Sequence, residues 1–145
     1  MTKSTLRLDI VSAEKEIFSG EVEIVFVTGE LGELGIAPGH SQLLTTLKPG
    51  YVRATLSNKE EEIFYISGGM LEVQPYVVSV LADEAVRADT IDEAEAVAAK
   101  EQAEKALAGK ISAMDLAKAT AELAEITAQI RAVQRLKKRA KGERS

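Results

Sequence analysis

The sequence predicts an α+β fold, with an antiparallel β-sandwich or barrel over residues 1–88 and an antiparallel two-helix hairpin over 89–145. Three observations carry this reading. All six aromatics and all three prolines lie within the first 76 residues, together with eight of the ten glycines. From Thr90 onward the chain is built mainly of Ala, Lys and Glu. The apolar spacing changes there too, from short alternating runs to helical periodicity.

The front half divides into short strands. Leu6, Leu8 and Ile10 alternate with polar residues, and Ser19-Gly20 reads as a turn. Glu21 to Thr28 alternates at Val22, Ile24 and Phe26, then turns apolar on both faces through Val25 and Val27, as a central strand does. Gly29 to His40 is rich in turn residues and predicts little regular structure. Tyr51–Ser57 and Glu61–Ser67 flank Asn58-Lys59 as a hairpin. Gly68-Gly69 breaks the chain, and Met70–Val73 and Val77–Ala82 follow around Pro75. Strands this short with frequent turns suggest a sandwich or barrel. No helix-length crossover joins them, so the pairing is expected to be mainly antiparallel.

The back half carries two helix-start signals. Thr90-Ile91-Asp92-Glu93 reads as a capping box, and Ser112-Ala113-Met114-Asp115 as a looser one. Gly109 suits a left-handed helix end. Helices are therefore expected at 91–108 and 113–138, joined by a turn at 109–112. Leu116, Leu123 and Ile130 recur every seven residues, interleaved with Ala119, Ile126 and Val133, which predicts a packing seam. The first helix answers with alanines plus Ile91, Val97 and Leu107. Small residues bury little area, so the hairpin is expected to leave its docked position at a cost of about a few kcal/mol. A β block with a detachable arm suits a part that docks and moves.

The net charge of −5 conceals an asymmetry. Arg131, Arg135, Lys137, Lys138, Arg139, Lys141 and Arg144 face one acid, Glu143, so this terminus carries +6 and the remainder −11. Such a terminus seeks an acidic surface, although cations also suit the negative end of a helix. Nucleic acid is disfavoured as the partner, because no aromatic follows Tyr76 to stack on bases. There is no cysteine, and a single histidine, His40, makes no metal site. No spacing places an acid beside His40-Ser41 for nucleophilic catalysis, and the glycines at 29, 32 and 35 match no dinucleotide fingerprint. No apolar run is long enough to span a bilayer, and Met1–Asp9 does not resemble a signal peptide. A soluble cytoplasmic chain is expected, meeting a membrane only through partners.

Three stretches carry a resemblance: Ser12 to Glu23 (SAEKEIFSGEVE), Gly32 to Arg53 (GELGIAPGHSQLLTTLKPGYVR) and Phe64 to Asp89 (FYISGGMLEVQPYVVSVLADEAVRAD). In this order, followed by a helical hairpin, they closely resemble the epsilon subunit of bacterial F-type ATP synthases. The similarity continues more loosely through both helices. It implies a ten-stranded two-sheet sandwich at the foot of the central stalk, touching the gamma subunit and the c-subunit ring. The c-ring contact would fall on Glu33, Leu34, Gly35, Ile36, His40 and Ser41. The hairpin would fold on the sandwich or extend along gamma, where it blocks rotation in the hydrolysis direction. Its basic face, Arg131, Arg135, Lys137 and Lys138, would then meet an acidic segment of the catalytic beta subunits, in the alpha and beta assembly where catalysis resides.

Some members of that family bind ATP through a pattern near Ile/Leu-Asp-x-x-Arg-Ala. This chain keeps Ile91 and Asp92 but has Glu95 at the arginine position. A carboxylate there repels phosphate, so weak or absent ATP binding, and no cofactor, is expected. Two other classes compete with the rotor reading. A free-standing sandwich adaptor oligomerising through the helical seam would sediment as a stable homo-oligomer. A small enzyme using the His40 loop would be active alone and lose activity on His40→Ala.

Overall fold

The computed structural model describes residues 4–29, 31–109 and 112–140, with side chains up to Lys138 in the last stretch. Lys141 and Arg144 of the basic terminus, and the side chain of Arg139, lie outside the described residues.

Eight strands come first: β1 (Leu6–Ser12), β2 (Glu16–Gly29), β3 (Gly32–Ile36), β4 (Leu43–Leu56), β5 (Glu61–Ile66), β6 (Gly69–Gln74), β7 (Val77–Ala82) and β8 (Ala85–Arg87). A 3₁₀ turn at Ala88–Thr90 leads to α1 (Glu93–Ala108) and α2 (Ala113–Ala140). The strand order is β3-β2-β1-β7-β6-β4-β5-β8, and an added β2–β4 pairing closes β2, β1, β7, β6 and β4 into a ring.

The expected ten strands are eight because two of them do double duty. β2 and β4 have 14 residues each. The first part of β2 pairs with β1 and its second part with β3 and β4. The first part of β4 pairs with β6 and its second part with β5. Ser19-Gly20 therefore lies inside β2 rather than at a turn; it stands opposite Asp9 and Leu8. All pairs are antiparallel except β1–β7, which is parallel. Five intervening strands supply that crossover, so no helix is needed.

The predicted strand pattern of β2 changes phase at a register shift between Val22 and Ile24. An irregularity there flips which residues point inward, so the buried set is Val22, then Val25 and Val27. The segment Gly29–His40 contains β3, which pairs along β2 from Val25 to Gly29. Its turn-rich composition concealed a five-residue strand. Gly50 sits where β4 crosses β2, and a side chain there would collide with Thr28. Gly68 and Gly69 adopt φ of 131° and 141°, which disfavours any other residue at this chain break.

The sandwich core is a cluster built from Leu6, Leu8, Ile10, Val25, Val52, Phe64, Leu71 and Val80, among others, all essentially inaccessible. The first helix departs from its sequence signals at its start and in the conformation of the residue that follows it. The N-cap of α1 is Asp92, whose side chain accepts from the Glu95 N–H at 3.1 Å. Thr90 instead donates its hydroxyl to the Arg87 carbonyl at 2.7 Å, closing the 3₁₀ turn. The strain-free helical start thus falls two residues later than the capping box implied. Gly109 has φ −84°, so α1 ends without a left-handed residue. Ser112 caps α2 as predicted, accepting from the Asp115 N–H at 3.2 Å.

Candidate functional site

The hairpin lies on the sandwich through a second, smaller hydrophobic cluster. Ala128 and Ala132 of α2 pack on Ile63 and Tyr65 of β5 and on Ala88, with Tyr51, Val86, Ile91 and Leu136 at its margin. β5 alternates: Phe64 and Ile66 enter the sandwich core, while Ile63 and Tyr65 face the helix. A strand apolar on both faces is one covered on both faces. That signal was present in EEIFYIS, and it marks Tyr65 and Ile63 as the seat of the hairpin.

Tyr65 is fully buried beneath α2. Burial pushes its hydroxyl pKa well above the ordinary tyrosine range, and the carboxylate of Glu125 on α2 adds to this. The Gln129 side chain hydrogen-bonds the hydroxyl and acts in the opposite direction.

Charged contacts surround this patch. The carboxylate of Glu61 on β5 lies 3.7 Å from both Arg53 of β4 and Arg135 of α2. Arg135 and Arg53 side chains are only 10% and 12% exposed. Lys137 meets Glu93 of α1 at 2.6 Å. Two of the four cations expected on a free basic face are therefore engaged, Arg135 with the sandwich and Lys137 within the hairpin. Arg131 is exposed, and neither it nor Lys138 forms an ion pair among the described residues. Arg53 and Glu61, distant from α2 in sequence, carried no signal of this role.

The predicted helix seam is realised only at its C-terminal end. Ile130 and Val133 are buried, and Leu123 and Ile126 half-buried. Leu116 is 45% exposed, and Val97 of α1 also faces outward. Residues 113–118 in the first turns of α2 are all exposed, so Leu116 drops out of the packed seam. The face that seats α2 on β5 is the alanine row at 128 and 132, which the heptad count passed over.

The residues grouped as a ring-contact loop occupy different environments. Glu33 and Gly35 are exposed on β3, and Ser41 is exposed beyond it. Leu34 is half-buried against the core. Ile36 is wholly buried, because strand alternation in β3 turns it inward. His40 is half-buried, its Nδ1 2.7 Å from the carbonyl of Ser41. The Gly39 N–H donates to the Pro75 carbonyl and the His40 N–H to that of Ala37, tying the loop down.

Ile91 and Asp92 line a cavity of about 280 Å³ with Glu95, Ala96, Ile126 and Gln129. Its charged lining residues, Asp92 and Glu95, are both acidic, and Asp92 is already committed to capping α1. Such a lining does not fit a nucleotide polyphosphate. Among the described residues no cluster of three metal-ligating side chains occurs, and no helix is long and apolar enough to cross a membrane.

Residues 5–88 match the family described as ATP synthase, Delta/Epsilon chain, beta-sandwich domain. Residues 89–134 match its long alpha-helix domain. The ATP synthase epsilon chain of Legionella pneumophila (strain Lens) is 58% identical over 137 residues, covering 94% of this chain and 98% of that one. The epsilon chain of Nitrosococcus oceani is 56% identical over 135 residues, covering 93% and 96%. Among solved structures, a chain of the Euglena gracilis mitochondrial ATP synthase shares the fold at TM-score 0.83 and 21% identity, over 92% of this chain and 84% of that one. A chain of the Tetrahymena thermophila mitochondrial ATP synthase central stalk and c-ring gives 0.59 at 15% identity, over 92% and 99%. The sandwich, its helical hairpin and these identities together show that the chain belongs to the ATP synthase epsilon-chain family, whose members are structural and regulatory subunits of that complex rather than catalytic ones.

Proposed function

We propose that this chain is the rotor subunit of a bacterial F-type ATP synthase that joins the c-ring to the gamma subunit, couples proton-driven rotation to ATP synthesis, and restrains ATP hydrolysis through movable C-terminal helices. The complex holds it at the cytoplasmic face of the inner membrane. Residues 1–88 form the fixed base, and residues 89–145 the regulatory arm.

The observation that carries this reading is the contrast at α2. Its seat on the sandwich is mostly alanine, whereas its cations sit on the same turns. A helix so held is able to leave, and on leaving it frees Arg135 from Glu61, so that Arg135 joins Arg131, Lys137 and Lys138 on an open face. These four then face an acidic segment of the catalytic beta subunits. On the base, Glu33, Gly35, His40 and Ser41 present the ring-facing surface, while Leu34 and Ile36 shape it from within.

The test is truncation. A chain ending at residue 89 is expected to enter the ATP synthase normally and to relieve inhibition of hydrolysis. A truncated chain that fails to assemble, or an assembled complex still fully inhibited, refutes this division of labour. ATP is not expected to hold the hairpin down, since the cavity at Ile91 and Asp92 is acidic.

A further inference from the structure

The folded hairpin creates a basic cleft that neither half of the molecule has alone. Arg53 from β4 and Arg131, Arg135 and Lys138 from α2 line a cavity of about 400 Å³, with Glu33 of β3 at its edge. Four cations there face two carboxylates, Glu33 and Glu61, and Glu61 is shared between Arg53 and Arg135 at 3.7 Å from each. The guanidinium of Arg53 stacks 4.1 Å from the centre of the Phe26 ring, which holds its plane in place. Its Nε is buried without a hydrogen bond. The positive charge of the largely buried Arg53 side chain is only partly offset by Glu61 at 3.7 Å, and an anion in the cleft completes it.

We propose that this cleft is a binding site for a small, multiply charged inorganic phosphate anion of the size of pyrophosphate. Arginine forks match the oxygen edges of a tetrahedral phosphate, and two lysine- or arginine-bearing walls set apart suit two phosphoryl groups. The site is distinct from the acidic cavity at Ile91 and Asp92, on the other side of α2. Because one wall is strand and the other is helix, a bound anion stabilises the folded hairpin by mass action. It also occupies cations that the inhibitory contact needs. The binding itself stands on this geometry alone, so its failure would leave the rotor reading intact.

Isothermal titration of pyrophosphate into the full-length chain at low ionic strength tests it, with amide exchange of α2 as a second readout. A single saturable site is expected, with slower exchange in the last turns of α2 once it is filled. Arg131→Gln combined with Lys138→Gln, both on the helix surface, weakens binding about ten-fold or more, and Glu33→Gln strengthens it. Lys100→Gln on α1, outside the cleft, leaves it unchanged. No saturation by about 10 mM overturns the proposal. So does equal weakening by the Lys100 variant, which would report diffuse attraction rather than a site.

Discussion

The two hydrophobic clusters of this molecule differ in kind. The sandwich core joins Leu, Ile, Val and Phe from every strand of the closed ring, and its members are shielded almost completely. The cluster under α2 has two large side chains at its centre, Ile63 and Tyr65, capped by alanines. At about 25 cal/mol per Å² of apolar surface, an alanine contributes a small fraction of what a leucine does. The contrast predicts separable stability: the strands are expected to hold together without the hairpin, which is held by a thin apolar seat plus a few charged contacts. The proposed regulation by detachment relies on that imbalance, since a leucine-rich face would hold the helix more tightly.

The contrast is sharpest under mutation. Phe64→Ala in the sandwich core is expected to cost about 3–5 kcal/mol and to lower the melting temperature of the whole β region. Ala132→Asp, beneath α2, places a carboxylate against Tyr65 and Ile63. It should undock the hairpin while the sandwich melts as before, and amide exchange resolved by region checks both. Equal loss of protection in strands and helices would show the two clusters to be one cooperative unit.

A smaller effect is expected at Glu61. Glu61→Gln leaves Arg53 and Arg135 facing each other without their shared carboxylate. Docking should weaken by about 2 kcal/mol, seen as faster exchange in α2 and stronger inhibition of hydrolysis in the assembled complex. Arg135→Gln is expected to differ, because it should release the hairpin and remove a proposed inhibitory cation together. Arg131→Gln and Lys138→Gln touch no docking ion pair among the described residues and should weaken inhibition alone, more at low salt than at high salt.

The smallest effect concerns pH. Docking raises the Tyr65 pKa, so the released state loses that proton first. The hairpin's stability on the sandwich is thus full below the ordinary tyrosine value of about 10 and falls as pH rises beyond it. Tyr65→Phe should cost about 1 kcal/mol at neutral pH through the lost Gln129 hydrogen bond, and should abolish the alkaline release of α2. Fluorescence or exchange followed between neutral and alkaline pH reads both arms.

Much of this architecture was legible in the residues. The break near Thr90 located the change from strands to helices, and the Asn58-Lys59 turn appears with Lys59 at φ 73°. The second helix begins where Ser112 said it would. Local signals of this kind act over a few residues, so they survive whatever the rest of the chain does. The errors arose where distant pairing overrode them. Turn-rich Gly32–Ile36 became a strand because β2 offered it an edge. Ser19-Gly20 stayed extended because β1 held it in register.

The sequence by itself determined the two building materials, the start of the second helix, the basic terminus and the carboxylate at Glu95. Only the tertiary structure decided that Ile36 points inward, that an alanine row rather than the heptad seam seats α2, and that Glu61 sits between Arg53 and Arg135. Local propensity and charge are properties of neighbouring residues, whereas burial and ion pairing across the fold depend on strand register and helix rotation, which no short stretch encodes.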